Sequence, residues 1–460
     1  MPSTRPHPSA SIKSVVFFEG LVCCMFFLGT QKVNAQGHLE IGGCDCVELA
    51  RKFGTPLYVL DEALIRRNCR DYRAAFERRY PHVEIIYATK ACLTTALCRI
   101  MQQEGLSLDT ASAGELFTAL KAEFPAEKIY LHGNFKSTRE LEMALSARVG
   151  RIVVDSELEL EQLNALAARR GQVADILLRV TPAVDPHTHE YIQTGKVDTK
   201  FGLGIGTGAA MQGVKRALSL KHLRLHGFHS HIGSQILDVH FFEMGAELLV
   251  AFIKAVAEAT GFEAKELNVG GGLGIKYVSE HKPPTKEEFA EALVGAVKRA
   301  CAKYRVALPK LMLEPGRSII GDAGITLYTV GPIKDINGVR TYVSVDGGLS
   351  DNPRPALYQA RYSLILANRP LDDEKQVVTV VGKHCESDML FENVTLPKLQ
   401  PGDILAVQST GAYNFSMSSN YNRFPRPAVV LVHDGRAELI VRRQTLEDLI
   451  AQDIIPERLR

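Results

Sequence analysis

Six stretches of the sequence carry side chains able to do chemistry. Lys90 closes the apolar run IIYAT. A lysine at a strand end can form a Schiff base with a carbonyl compound; an ordinary surface lysine is the plain alternative. HSHIGS holds His229, His231 and Ser234. A histidine there can stack on a flat aromatic ring, and the serine can hold a phosphate oxygen. Two histidines two apart share one face of a strand, which suggests metal, but no third ligand follows at the usual spacing. GGGLG (270–274) follows an apolar run. Glycines let backbone N–H groups approach a phosphate, although tight turns use glycine too. EPGR puts Glu314 and Arg317 beside a turn. Glu314 can pair with a protonated ring nitrogen and keep that ring electron-poor, as a carbanion sink requires. Arg317 can clamp a carboxylate or a phosphate; a structural ion pair is the alternative for both. HCESD (384–388) and TGAY (410–413) add Cys385, Glu386 and Tyr413. A thiol can serve as a proton donor, and a partly buried structural cysteine is an equal reading.

Elements must bring these groups together. From residue 83 onward, short apolar runs alternate with amphipathic stretches. The runs lie at 83–89, 106–109, 128–133, 151–155, 174–180, 223–232, 266–272 and 310–316. Segments of helical period such as AGELFTALKAEF and KEEFAEALVGAVKRACAKY fill the intervals, the signature of βα units. Eight units predict an α/β fold built on a (β/α)8 barrel; an open parallel sheet is the rival. After residue 317 the segments turn short and β-branched. They predict an antiparallel β domain, sandwich-like or barrel-like, which PLYVLD (56–61) joins from before the barrel. The expected organisation is an N-terminal extension (1–36), a segment feeding the β domain (37–62), the barrel (63–316) and the C-terminal β domain (317–460). In a barrel, chemistry gathers at the C-terminal ends of strands. Those ends carry Lys90, Asp109, His132, Asn134, Asp155, His229, His231, the glycine run, Glu314 and Arg317.

Composition narrows the partners. Hydrophobic residues make up 46% of the 460 and charged residues 23%, which excludes a disordered chain and a polytopic membrane protein. The net charge of +2 gives no case for nucleic acid. Nine cysteines form no CxxC pair, pointing to a reducing cytoplasm rather than a disulfide framework. The run VVFFEGLVCCMFFLG (15–29), with Val33-Asn34-Ala35 after it, has features of a signal peptide. Glu19 interrupts it, and it is too short to span a bilayer. An extension ahead of an internal start at Met25 is the preferred reading, with no membrane partner.

Nine motifs run in order: YATKA, HGNFKS, THEYIQTGKVDTKFG, HSHIGSQ, NVGGGLG, EPGR, VDGGLSDNPRPALY, VVGKHCES and STGAY. One such match is weak evidence, and nine in order are strong. On these motifs the chain resembles the fold-type III pyridoxal-phosphate decarboxylases, and within them the diaminopimelate decarboxylases. The resemblance implies the cofactor pyridoxal 5'-phosphate, carried on Lys90. It implies that His231 stacks on the pyridine ring and that Glu314 faces the ring nitrogen. Ser234, Gly271, Gly272, Gly316 and Arg317 would surround the phosphate, with Tyr413 beside the cofactor. Arg317, Arg354, Tyr358 and Tyr413 would bind the distal end of the substrate, so Arg317 has two possible partners. Cys385 would lie near Cα, which Cys385 or Lys90 would protonate, and Glu386 would accept the distal ammonium. Both would reach the site from a partner subunit, which implies a homodimer with shared sites. No metal is implied.

The implied reaction converts meso-2,6-diaminopimelate to L-lysine and carbon dioxide, the last step of lysine biosynthesis. This substrate has an amino-acid head at each end. Its distal head needs a cation and an anion, which Arg354 and Glu386 supply. An ornithine decarboxylase would bind only a distal amine and would not need Arg354. Decarboxylases of ornithine, arginine or carboxynorspermidine on the same scaffold are the rivals, together with a catalytically silent homologue. The chain departs from the family in reading CESD where CESGD is common, ASAGEL for VSGGEL, and GNFKS for GNNKS.

Overall fold

The apolar runs become the staves of a closed barrel. A computed structural model describes residues 25–182, 184 and 199–460. The apolar run at 15–24 and most of the THEYIQTGKVDTKFG motif lie outside the described residues.

The first long strand, β1 (Leu57–Asp61), precedes the barrel. The staves are β2 (Val83–Ala88), β3 (Ser107–Thr110), β4 (Ile129–Leu131), β5 (Arg151–Val154), β6 (Ala174–Thr181), β7 (Leu223–His229), β8 (Glu266–Asn268) and β9 (Lys310–Leu313). Each pairs in parallel with the next, and β9 pairs with β2, Leu311 opposite Val83, to close the ring. Closure decides between the barrel and the open sheet, because no stave is left as an edge.

Sequence signals set each helix. Ser112, Ser137, Ser156 and Thr285 each cap a helix by accepting a backbone N–H three residues on. A cap of this kind contributes about 1 kcal/mol. Asp61 caps helix Glu62–Glu77, which buries Leu64, Ile65, Asn68, Cys69, Tyr72, Ala75 and Phe76 on one face. That spacing is the 3.6-residue stripe of an amphipathic helix.

The barrel interior is layered. At the N-terminal end Arg151 makes a two-pronged contact with Glu266, Nε to Oε2 at 2.9 Å and Nη2 to Oε1 at 2.6 Å. Beside it Glu84 is held by Lys310, Ser107 and Tyr130. Above lies an apolar plug of Ile86, Tyr130, Val153, Leu177 and Met312. Side chains fill this end, and in barrels of this kind the site lies at the opposite mouth.

The second sheet runs β13-β12-β11-β10-β1-β15-β16. Its strands are β10 (Gly324–Ile336), β11 (Arg340–Val345), β12 (Lys375–Val381), β13 (Met389–Pro397), β14 (Ile404–Val407), β15 (Ala428–His433) and β16 (Arg436–Val441). β14 pairs with β10 off that path. As the sequence predicts, β1 joins this sheet, between β10 and β15. The sheet is mixed, however, where an antiparallel one was expected. β1 pairs with β15 in parallel, and β11 with β12 likewise. Neither pair is joined by a hairpin, so local turn signals cannot report their direction. β10 alternates between two cores: Ile325 and Leu327 enter one, and Tyr328 and Val330 the other.

Residues 25–36 pack on this frame. Thr30 bonds the Asp61 carboxylate through its N–H and its hydroxyl, at 2.9 and 2.7 Å. Gln408 Nε2 donates to the Phe26 carbonyl and to Gln31 Oε1. Among the described residues no helix is long and apolar enough to cross a membrane.

Candidate active site

The turn after β2 sets Lys90. Thr89–Ala91 form one 3-10 turn, and Thr89 Oγ1 donates to the Asp109 carbonyl at 2.6 Å. Ala88 N donates to the Pro315 carbonyl at 3.1 Å, so the EPGR turn and the Lys90 turn are fastened together. Tyr413 N donates to the Ala91 carbonyl at 2.7 Å, which clips the TGAY segment to the same place. Tyr413 has φ +68°, a left-handed conformation that is rare for a bulky residue and clusters at functional sites.

One cavity results at the barrel mouth. Lys90, His231, Ser234, Gly271, Gly272, Glu314, Gly316, Arg317 and Tyr413 all line it. Every residue that the sequence assigned to the cofactor is in that lining. Asp109 and Ser318 line it as well. The glycines are required by close approach. A Cβ on Gly271 would stand 2.0 Å from the Glu314 carbonyl oxygen, and one on Gly272 would stand 2.5 Å from the Gly233 oxygen. Gly271 N donates to His231 Nδ1 at 3.3 Å, which leaves the proton of the neutral ring on Nε2.

Glu314 is the electrostatic centre. His132 Nε2 is 3.0 Å from its Oε1 and His229 Nε2 is 3.0 Å from its Oε2. Asn268 Nδ2 donates to Oε1 at 2.7 Å. Burial pushes the carboxyl up, but His132 and His229 reverse this and hold it well below the usual carboxylate range. For His132, burial pulls down, and Glu314 and Asp109 more than compensate, so the imidazole is held above its ordinary value. His229 is pulled down to about 4, by burial first, against the pull of Glu314. Glu314 and His132 therefore form a buried ion pair, and neutral His229 donates to the other oxygen. His231 is held well below its ordinary value by burial, then by the Lys90 and Arg179 charges. Burial pushes Asp109 up to about 6, partly offset by His132.

His229 and His231 do not share a ligand. His229 ends β7 and meets Glu314, while His231 stands past the strand end in the cavity lining. His132, His229 and Glu314 do place ligand-type atoms within 4.8 Å of one another. The carboxylate lies 3.0 Å from both rings, hydrogen-bonded to His229 and facing His132 as an ion-pair partner.

On the other wall Arg317 Nη2 donates to Ser234 Oγ at 3.0 Å and Nη1 to Tyr277 Oη. The Arg317 guanidinium lies 4.8 Å from the Tyr413 ring centre, and that of Arg354 5.5 Å from it. Arg354 is also 5.2 Å from the Tyr358 ring and donates through Nε to Tyr362 Oη at 3.0 Å. Two cations thus flank one tyrosine at the cavity. Cys385 and Glu386 behave differently. Both are exposed, and neither is in the cavity lining of its own chain. They sit between β12 and β13, next to Tyr421 and Asn422.

Sequence reasoning singled out neither Asn268 nor Tyr277. Asn268 carried a signal, as an amide inside the apolar run ELNV that must find a buried partner. Tyr277 follows the glycine run without any pattern.

Comparisons with known proteins agree with this geometry. Residues 62–321 match the family model described as pyridoxal-dependent decarboxylase, pyridoxal binding domain. The diaminopimelate decarboxylase of Bacillus subtilis is 47% identical over 431 residues, covering 94% of this chain and 98% of that one. That of Synechocystis is 48% identical over 443 residues, covering 94% and 93%. The crystal structure of diaminopimelate decarboxylase from M. jannaschii in complex with L-lysine superposes with a TM-score of 0.89 at 37% identity, covering 95% of this chain and all of that one. A cavity ringed by a lysine, a histidine and a buried glutamate, on a chain this similar end to end, has one explanation: the chain belongs to the diaminopimelate decarboxylases of the pyridoxal-dependent decarboxylase family.

Proposed function

We propose that this chain is a carboxy-lyase that uses pyridoxal 5'-phosphate to convert meso-2,6-diaminopimelate to L-lysine and carbon dioxide, the last step of lysine biosynthesis. The observation that carries this reading is the convergence of Lys90, His231, Glu314 and Arg317 on one cavity, with Arg354 one tyrosine ring away.

The residues present fit the cofactor. The buried Glu314 carboxylate is held as an anion, and among the described residues its Oε2 accepts only from His229, which leaves a lone pair for a protonated ring nitrogen. Buried Arg317 Nε has no hydrogen-bond partner among the described residues, and the Ser234 hydroxyl with the Gly272 backbone offers uncharged donors for a phosphate. His231 is a neutral ring in the cavity wall. When bound, pyridoxal phosphate accepts the electron pair released as the Cα–carboxylate bond breaks.

The chain's own groups do the rest. Lys90 holds the cofactor through its amine. Glu314 keeps the ring nitrogen protonated. Arg354 holds the distal carboxylate and Glu386 the distal ammonium, so the head that loses carbon dioxide is fixed relative to the ring. Cys385 delivers a proton from its thiol to Cα. Arg317 belongs to the phosphate side, because its partner is Ser234.

The chain works as a cytoplasmic homodimer. Cys385 and Glu386 of one protomer complete the cavity of its partner, which accounts for their exposure outside their own cavity. Mixing inactive Lys90→Ala and Cys385→Ala chains should restore activity, up to about a quarter of wild type, through dimers that hold one intact site. Two variants that stay inactive after subunit exchange would exclude shared sites.

The direct test incubates the purified holoenzyme separately with diaminopimelate, ornithine and arginine, measuring carbon dioxide and the amine formed. Lysine from diaminopimelate alone is expected. Release from ornithine or arginine would reassign the substrate. The Arg354→Ala variant should raise KM for diaminopimelate by about 10- to 100-fold, the worth of a hydrogen bond to a charged group. A KM that stays at the wild-type value would remove Arg354 from the substrate site.

A further inference from the structure

The loop that carries Cys385 and Glu386 is held by one turn elsewhere in the chain. Tyr421 Oη donates to Glu386 Oε1. The next residue, Asn422, accepts the Cys385 N–H on its Oδ1 at 3.0 Å. Consecutive residues of the turn thus grip consecutive residues of the loop. The turn is strained to do so: Asn422 has φ +52° and Arg423 φ +60°. Asparagine tolerates that conformation and arginine does not favour it, so surrounding contacts must impose it. They are present. Asn420 Nδ2 donates to the Phe424 carbonyl and to Gln444 Oε1, at 2.9 and 2.6 Å. Arg423 donates to the Leu449 carbonyl at 2.7 Å and pairs with Asp453 at 2.9 Å.

The loop has its own anchor on the other side. The buried Asp388 carboxylate accepts from His384 N, His384 Nδ1 and Leu349 N at 3.0, 2.6 and 2.7 Å. The His384 ring then stacks on Tyr421, with ring centres 5.9 Å apart. Between these anchors Cys385 and Glu386 are exposed.

We propose that Tyr421 and Asn422 are positioning residues: Tyr421 orients the Glu386 carboxylate toward the distal ammonium, and Asn422 sets the backbone from which the Cys385 thiol reaches Cα. This rests on the roles given above to Cys385 and Glu386. Because the two grips act on different groups, they separate kinetically. Loosening Glu386 weakens substrate binding, while shifting Cys385 slows protonation.

The test compares Tyr421→Phe, Asn422→Gly and Asn422→Asp as holoenzymes, beside Glu386→Gln and Cys385→Ala. Glycine accepts the turn's backbone and removes only the amide acceptor, whereas aspartate keeps an acceptor oxygen. Tyr421→Phe should raise KM for diaminopimelate about fivefold with kcat little changed, as expected for one lost hydrogen bond. Asn422→Gly should lower kcat by about 10- to 100-fold with KM little changed, the scale of a small misplacement. Asn422→Asp should retain kcat. A second readout is the alkylation rate of Cys385 by iodoacetamide, followed on its peptide by mass. It should change in Asn422→Gly and not in Asn422→Asp. Wild-type kinetics and alkylation in Tyr421→Phe and Asn422→Gly, with Glu386→Gln and Cys385→Ala impaired, would overturn the inference and leave the loop's roles standing. Activity losses that only follow the folded fraction would also overturn it. Full activity in Glu386→Gln and Cys385→Ala would remove the loop's roles and the inference together.

Discussion

The Lys90→Ala variant loses steady turnover, with kcat reduced on the order of 10⁴-fold, the scale of deleting one member of a site that acts as a unit. Alanine removes the amine without disturbing its frame. The turn is held by backbone contacts: Thr89 Oγ1 to the Asp109 carbonyl, Ala88 N to the Pro315 carbonyl and Tyr413 N to the Ala91 carbonyl. The cavity therefore survives, and the loss is chemical. Two measurements separate that from misfolding. Carbon dioxide release should vanish, while the thermal midpoint moves by no more than a surface substitution would move it. The visible absorbance of the bound cofactor should disappear or weaken on dialysis, because its covalent tether is gone. Normal turnover by this variant would end the assignment of Lys90.

The second large effect belongs to Glu314→Gln. Glutamine keeps the shape and can still bond Asn268, yet it removes the anion from a buried ion pair. Breaking such a pair costs on the order of 3–5 kcal/mol when the remaining charge loses its partner, and Asp109, which also faces His132, keeps the cost toward the lower end. The same change takes the counter-charge from the ring nitrogen, so kcat should fall on the order of 10²–10³-fold, as when a fixed electrostatic group is lost.

The stability gap between wild type and Glu314→Gln has a signed pH profile. The folded Glu314 carboxyl lies well below its unfolded value of about 4.3. Its contribution is present above that pH and lost as pH falls through the folded value. His132 lies above its unfolded value of about 6.5. Its contribution is full below that pH and lost as pH rises through the folded value. The gap should be widest between about pH 4.3 and 6.5 and should narrow on either side. Denaturant midpoints for both proteins across about pH 2 to 9 measure it. A gap independent of pH would show that the Glu314–His132 pair is not ionic.

Much of this site was legible in the sequence. Most of the cavity-lining residues fall just beyond a strand recognisable by its apolar run, and the barrel's geometry sends such positions to one mouth. Lys90 after IIYAT and Glu314 after KLML are of this kind. Residues that act through a second side chain were harder to see. Asn268 and Tyr277 reach Glu314 and Arg317 by hydrogen bonds, and nothing in local periodicity reports a partner 40 or more positions away. Cys385 stood out as a thiol in HCESD, but its place beside the substrate and the role of Glu386 came from the family resemblance rather than from any element boundary.

By itself the sequence determined the eight staves, their capped helices and the residue types at their ends. Those follow from hydrophobic period and from side chains that satisfy local backbone groups, which are short-range matters. Three things were decided only in the tertiary structure. The sheet after the barrel is mixed, because β1 and β15 pair in parallel across more than 360 residues of intervening chain. The charge of Glu314 depends on histidines from β7 and from the end of β4, which the closed ring brings within 3.0 Å. The Cys385–Glu386 loop is held by a strained turn 35 residues later. In each case the deciding interaction is a non-local hydrogen bond or ion pair. Its energy depends on burial and distance, and neither exists until the chain has folded.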